Sequence, residues 1–218
     1  MSSRDAILAR IRAARGGRGA SSQQEVAGVH AHLAAHPQGP RPYSDWDPIE
    51  RLRERAQSLT TTLEQITDIA SLPQAVARYL GENKLPLQAV CWPEFGTLGW
   101  RAAGINVETR SATGDDLIGI TAAFCMIAET GTLMLLSGEV TPGTTSLLTE
   151  THIGVVPVSR LVRGMEDAWA LLRAEHGATA MPRAVNFISG PSRTADIEQT
   201  LVLGAHGPYR VHIILIPS

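Results

Sequence analysis

The pattern of hydrophobic and polar positions divides the chain into a helical front and an alternating rear. Over residues 2–14, Ile7, Leu8 and Ile11 share one face behind a Ser2/Asp5 capping-box spacing, which predicts a short amphipathic helix. Over 16–43 the apolar period dissolves into Gly, Ser, Gln, His and Pro, so this stretch reads as an extended arm or linker. Asp47 as cap and Pro48 in the first turn open a second predicted helix, whose Ile49, Leu52, Ala56, Leu59, Leu63 and Ile66 recur at steps of three and four. A third covers 72–80, capped by Ser71 and stopped by Gly81.

After Gly81 short apolar runs alternate with turns and helical stretches. Strands are predicted over 87–92, 105–109, 124–128, 132–136, 152–158, 184–189 and 211–216, and helices over 165–173 and 195–202. Glu129, Thr130 and Gly131 would close a tight hairpin between the third and fourth strands. The mixture predicts an α/β fold, and the poor alternation of the last two strands suits a sheet covered on both faces. The expected organisation is an N-terminal helix and arm over 1–45 and one α/β domain over 46–218.

Composition narrows the function classes. A formal net charge of -2 gives no bulk attraction to nucleic acid, although Arg4, Arg10, Arg12, Arg15 and Arg18 crowd the N-terminal region. Those arginines read first as a solvated helix face and second as a partner-docking surface. No apolar run approaches the ~20 residues of a membrane helix, and the N-terminus has no secretory-signal pattern, so a cytoplasmic location is expected. The two cysteines, Cys91 and Cys125, have no Cys-x-x-Cys spacing and cannot supply the ligands of an iron–sulfur cluster. His30, His32 and His36 fall in the Gly- and Pro-rich arm, which would not hold them in metal-binding geometry, so no metal is assigned. The identity of any cofactor stays unknown.

Two turns carry candidate chemistry. In the first, Glu129, Thr130, Gly131 and Thr132 put a carboxylate and two hydroxyls around a glycine; residue types alone favour a self-satisfied hairpin over a ligand site. In the second, Asn186, Ser189, Gly190, Ser192, Arg193, Thr194 and Asp196 run from a strand through a glycine into a predicted helix, an arrangement suited to cradling a carboxylate or other anion. Asp196 and Glu198 already complement that helix dipole, so an internal Arg193–Asp196 pair is an equal alternative. Neither a Walker nor a G-x-G-x-x-G spacing occurs. His152 opens an apolar strand, as a ligand contact or a strand-end residue. His206, between Gly204 and Gly207, could accept a proton from a hydroxyacid or cap the preceding helix, whereas His212 reads as structural.

Gly119-Ile120-Thr121, the 128–133 segment, Thr151-His152-Ile153, the 186–198 turn and Gly204-Ala205-His206-Gly207-Pro208, in that order, resemble the LUD-domain family, in particular its lactate-utilisation protein C group. The resemblance covers 87 to the C-terminus well, fits the N-terminal helices loosely and does not extend to the arm. It implies a central mostly parallel sheet flanked by helices, similar to the sugar-isomerase and CoA-transferase class and to 5-formyltetrahydrofolate cyclo-ligase. It also implies an accessory, cluster-free role in oxidising L-lactate to pyruvate beside iron–sulfur protein partners. Such a subunit would bind a small anionic metabolite or cofactor in the crevice at the carboxyl ends of its strands. The lean of His152 toward function rests on this resemblance. Glu129 and His206 are the catalytic candidates, and Thr130, Gly131, Thr132, His152 and the named residues of the second turn the ligand-binding ones. The family often has a polar or acidic residue after the Gly-Ile-Thr turn, where this chain has Ala122, Ala123 and Phe124. Two rival readings are a free-standing CoA- or acyl-transfer enzyme with Glu129 as nucleophile and a metabolite-binding regulatory module; whether the chain forms a homo-oligomer stays open.

Overall fold

Helix α1 (Ser3–Ala14) and helix α2 (Gln23–Ala35) lie in the first of two units, residues 1–43, and neither buries a side chain. The computed structural model of the chain describes residues 2–14, 21–40, 45–177, 181–195 and 202–217. Helix α2 corrects the reading of 16–43 as an arm without secondary structure. Ser22 Oγ accepts from the Glu25 N–H at 3.2 Å while Glu25 Oε2 accepts from the Ser22 N–H at 2.8 Å, a capping box that starts a helix inside an otherwise helix-poor composition.

In the second unit, residues 44–218, α3 (Pro48–Ser58) starts as predicted: Asp47 Oδ1 accepts the Ile49 and Glu50 N–H groups, both at 2.9 Å. It stops short of the predicted stripe. Leu59 is its cap, Thr60 turns to φ +59°, and Leu63 lies in strand β1 (Thr62–Gln65). The run Thr60-Thr61-Thr62 is β-branched and stiff in a helix, and parallel pairing with the last strand of the chain takes up the freed backbone. Helix α4 (Leu72–Glu82) continues through Gly81, and the side chain of Ser71 does not cap it; Asp68 Oδ1 instead accepts the Ser71 N–H at 2.8 Å in the 3-10 turn before it.

The remaining elements are β2 (Gln88–Cys91), β3 (Asn106–Thr109), β4 (Ile118–Ala122), β5 (Cys125–Ile127), β6 (Thr132–Ser137), α5 (Thr144–Leu147) and β7 (Thr151–Pro157). They are followed by β8 (Leu161–Val162), α6 (Met165–His176), β9 (Ala184–Ile188), β10 (Arg193–Thr194), β11 (Val202–Leu203) and β12 (Arg210–Ile216). The predicted helix over 195–202 is not what the described residues show at its ends: Val202 belongs to β11, paired antiparallel with β10, and 196–201 lie outside the described residues.

The central sheet has the order β1-β12-β7-β4-β2-β3, and every neighbouring pair is parallel. One face buries Ile118, Ile120, Ile153 and Ile214 against Leu72, Val76 and Leu80 of α4. The other packs Val156, Val211, Ile213 and Leu215 against Leu52 of α3 and against Met126, Leu133 and Leu135 of a second sheet, β8-β5-β6-β9. That second sheet contains the predicted hairpin and is covered by α6 through Ala168 and Leu172. The expected class, a parallel central sheet flanked by helices, is therefore what the chain builds. Among the described residues no helix is long and apolar enough to cross a membrane.

Gly119-Ile120-Thr121, whose glycine suggests a turn, is the interior of the central strand β4. Its glycine has a packing cause: a Cβ there would sit 1.9 Å from the Thr145 carbonyl oxygen, so only a bare backbone lets α5 lie on the sheet. From β2 the chain steps outward to β3, then returns past β2 to β4, β7 and β12 on the other side. The direction thus reverses between β2 and β4, and the carboxyl ends of these strands flank a crevice where open α/β sheets bind ligands.

Candidate functional site

A cavity of about 500 Å³ opens at that crevice. Each wall follows from how a strand ends. After β2, Pro93 starts a 3-10 turn that buries Phe95, and the Trp92 indole N–H donates to the Pro142 carbonyl at 3.2 Å. At the end of β4, Ala122 and the following Ala123 offer only methyl groups, so the floor between the strand ends is left open. After β7, Pro157 leads through a 3-10 turn to Arg160, whose Cζ lies 5.3 Å from the Phe124 ring centroid and whose Nη1 donates to Glu175 Oε1 at 2.5 Å. Ile216, at the end of β12, and Leu136 complete the apolar lining.

The polar groups on this wall are few: Glu94, Thr141 and Arg160. Desolvation raises the Glu94 carboxyl above its ordinary pKa, which favours its neutral form near a bound anion. Thr141 Oγ donates to the Leu136 carbonyl at 3.2 Å. Glu175 engages one guanidinium nitrogen of Arg160, and the group carries further N–H donors. Apolar walls with one guanidinium, one carboxyl and one hydroxyl suit a small organic acid whose carboxylate meets Arg160 and whose carbon skeleton meets Trp92 and Phe124. Among the described residues, no group of three or more His, Cys, Asp and Glu side chains is placed to hold a metal ion.

The residues singled out in the sequence fall into several separate neighbourhoods. Glu129 sits in the β5–β6 turn, where its N–H donates to the Arg163 carbonyl at 3.0 Å and its carboxylate lies against Gly164 at the start of α6. Thr130, Thr132 and Ser189 come together as a hydroxyl chain, 2.7 Å and then 2.6 Å between oxygens, that ties this turn to the end of β9. Gly131 needs its φ of +68° for the turn, and its α-carbon faces Arg55 and Ala56 of α3, where a Cβ would stand 3.0 Å from the nearest atom. Asn186 points its amide toward Gly143, before α5, and Gly190 lies against Leu59 and Thr61.

His152 is fully buried in β7. Its Nε2 is 2.8 Å from Thr121 Oγ1, and desolvation pushes its pKa down to about 3, so it is a neutral core imidazole at neutral pH. His212 is also buried and neutral, its pKa lowered to about 4 chiefly by desolvation; it stacks on Tyr79 at 4.0 Å and meets Thr62 Oγ1 through Nδ1 at 2.8 Å. Ser192 and His206 form the last neighbourhood: the Ser192 N–H donates to the Pro208 carbonyl at 2.8 Å and the His206 N–H to Ser192 Oγ at 3.4 Å. His206 is exposed there, Arg193 and Thr194 form β10 beside it, and Asp196 lies outside the described residues. Glu129 and His206 therefore belong to different neighbourhoods, and neither lines the cavity.

Glu94, Thr141 and Arg160 were not picked out from the sequence. The available signal was positional: Glu94 and Arg160 each come two residues after a predicted strand, where a doubly wound sheet presents its ligand-binding loops.

The LUD domain model matches residues 98–216. Lactate utilization protein C of Halalkalibacterium halodurans is 43% identical over 184 residues, covering 77% of this chain and 78% of that protein. The namesake proteins of Bacillus licheniformis and Bacillus subtilis are 36% and 37% identical over 57% of this chain. Those two alignments span 53% of each relative's length, about half. A crystal structure of a DUF162 family protein from Deinococcus radiodurans shares the fold with a TM-score of 0.56 and 21% identity, over 80% of this chain and 99% of that one. The family-model match and the Halalkalibacterium relative together show that the chain belongs to the LUD-domain family.

Proposed function

We propose that this chain serves lactate utilisation as an accessory subunit: it binds a small carboxylate while iron–sulfur protein partners carry the electrons. The cavity at the reversal of the sheet, walled by Trp92 and Phe124 and provided with Arg160 and Glu94, is the observation that carries this reading. Oxidation of L-lactate to pyruvate removes two electrons and two protons. The two cysteines of this chain are buried in β2 and β5, and desolvation raises the pKa of both thiols, so they are poor candidates for thiolate ligands to an electron-carrying centre. The names of the relatives supply the lactate connection. Arg160 is assigned the ligand carboxylate, and Glu94, whose carboxyl pKa is raised by desolvation, is assigned the ligand's hydroxyl group.

Thermal unfolding with and without L-lactate or pyruvate tests the binding. Ligand held at one hundred times its dissociation constant should stabilise the native chain by about 2.7 kcal/mol, raising its melting temperature. Arg160→Gln should remove that rise. An equal rise in wild type and variant would refute the assignment of Arg160, and no rise with either acid would refute the ligand class. Transfer chemistry through Glu129 has no comparable support, because that side chain lies at the start of α6 outside the cavity.

A further inference from the structure

A second cavity, of about 490 Å³, opens at the opposite, amino end of the central sheet and, among the described residues, shares no lining residue with the first. Its walls come from Thr60 and Thr62 before and in β1, Tyr79 and Asn83 at the end of α4, Arg193 of β10, and Tyr209 and Arg210 at the start of β12. Two guanidinium groups thus reach it, one from β10 and one from the start of β12, and none of the described residues lining it carries a carboxylate. Among the described residues neither Arg193 nor Arg210 has a carboxylate within 4.0 Å.

Both arginines are held in place. Arg193 Nη2 donates to Thr60 Oγ1 at 2.8 Å and to the Leu59 carbonyl at 3.3 Å, which occupies one nitrogen of a five-donor group. The Arg210 Cζ stacks 4.7 Å from the Tyr209 ring centroid. The loops carrying them are braced together: β10 pairs with β11, the Ser192 N–H donates to the Pro208 carbonyl, and the Gly204 N–H donates to the Ser192 carbonyl at 3.0 Å. The Tyr79 hydroxyl group belongs to the same wall, and burial raises its phenol pKa, so it remains protonated at neutral pH. At the end of α4, the Asn83 N–H and side-chain amide both donate to the Tyr79 carbonyl and the Leu85 N–H to the Leu80 carbonyl, so these carbonyls do not confront an incoming anion.

We infer that this cavity binds a small phosphorylated metabolite, its phosphate held between Arg193 and Arg210. Paired guanidiniums with nearby hydroxyl donors match the charge and the several acceptor oxygens of a phosphoryl group. The volume exceeds that of inorganic phosphate, and Tyr209, Leu203 and Val211 offer apolar surface to the organic remainder. The 189–195 and 202–210 segments would then act together, as one wall of an anion site separate from the carboxylate cavity.

Phosphorus NMR and thermal unfolding of the full chain test the inference, with inorganic phosphate, pyrophosphate and adenosine monophosphate as probes and L-lactate and acetate as carboxylate controls. Wild type should broaden the phosphorus resonances and gain melting temperature with millimolar phosphate probes, the organic phosphate binding tighter than inorganic phosphate. Arg193→Gln, a change at an exposed side chain, should weaken phosphate binding at least tenfold while its melting temperature without ligand stays near wild type, and Arg210→Gln should do the same. Circular dichroism verifies that each variant is folded. Three results would each overturn the inference: no response of wild type to any phosphate probe, undiminished binding in folded Arg193→Gln, or an equal response to acetate. Because L-lactate is assigned to the other cavity, loss of phosphate binding with lactate binding kept, or the reverse, tells the two readings apart.

Discussion

His152 gives the chain a calculable weakness in acid. The imidazole is fully buried, bonded through Nε2 to Thr121 Oγ1, and its folded-state pKa falls from an ordinary 6.5 to about 3 through desolvation. The unfolded chain therefore takes up a proton that the folded chain refuses. Stability from this residue is intact above pH 6.5, declines as pH falls toward 3, and levels off below. At about 1.4 kcal/mol per tenfold difference in proton affinity, the loss is about 2 kcal/mol at pH 5, about 3 kcal/mol at pH 4 and on the order of 5 kcal/mol in full. Losses of that size are a large share of the roughly 5–15 kcal/mol that typically holds a domain together. His152→Gln keeps a neutral hydrogen-bonding side chain but cannot titrate. Urea unfolding of both proteins between pH 7 and 4, followed by circular dichroism, should show a constant offset near neutrality that shrinks by about 3 kcal/mol by pH 4 as wild type loses its advantage. The titration of His212 is common to both proteins and cancels. A difference independent of pH, or a His152 resonance titrating near 6.5, would refute the burial of this group and make it a ligand contact again.

Two further changes probe the packing and the rival chemistry. Gly119→Ala brings a methyl group to 1.9 Å from the Thr145 carbonyl, so α5 must shift; a loss of about 3 kcal/mol or more is expected in urea unfolding, whereas Gly81→Ala in α4, with open space around it, should be neutral or stabilising by up to about 1 kcal/mol. Glu129→Gln should leave lactate-dependent activity of a reconstituted system within about twofold, since the carboxylate lies at Gly164 rather than in the cavity; a hundredfold loss with trapping of a thioester on the wild-type residue would favour transfer chemistry.

The core was legible where the hydrophobic period had one interpretation. The strands carrying Val90, Ile153 and Ile213 are continuous apolar runs between turns, and Asp47-Pro48 marks a helix start that nothing in the tertiary structure opposes. The period misled where two elements met on one stripe. Leu63 and Ile66 stand at helical spacing from Leu59, yet long-range pairing of β1 with β12 decides their conformation, and that partner lies some 150 residues away. Gly119 looked like a turn because the reason for the glycine, the backbone of α5, is absent from its local sequence. The candidate site shows the same division. Thr130, Thr132 and Ser189 do converge, and Arg193 does line a cavity, but Glu94, Thr141 and Arg160 meet only through the order of strands in the sheet. Strand order is set by packing among distant segments, and the mark it leaves at Glu94 and Arg160 is no more than their place just after a predicted strand.

Ala122→Leu separates ligand binding by this chain from electron transfer by its partners, because the side chain lines the floor of the first cavity and a larger apolar residue there occupies the ligand's place. Lactate-dependent dye reduction would be measured with this chain alone, with iron–sulfur protein partners alone, and with the mixture containing either wild type or Ala122→Leu. No reduction is expected from the chain alone, full activity from the wild-type mixture, and at least tenfold less with a folded Ala122→Leu chain. Dye reduction by the isolated chain, or full activity with the filled cavity, would contradict this division of roles.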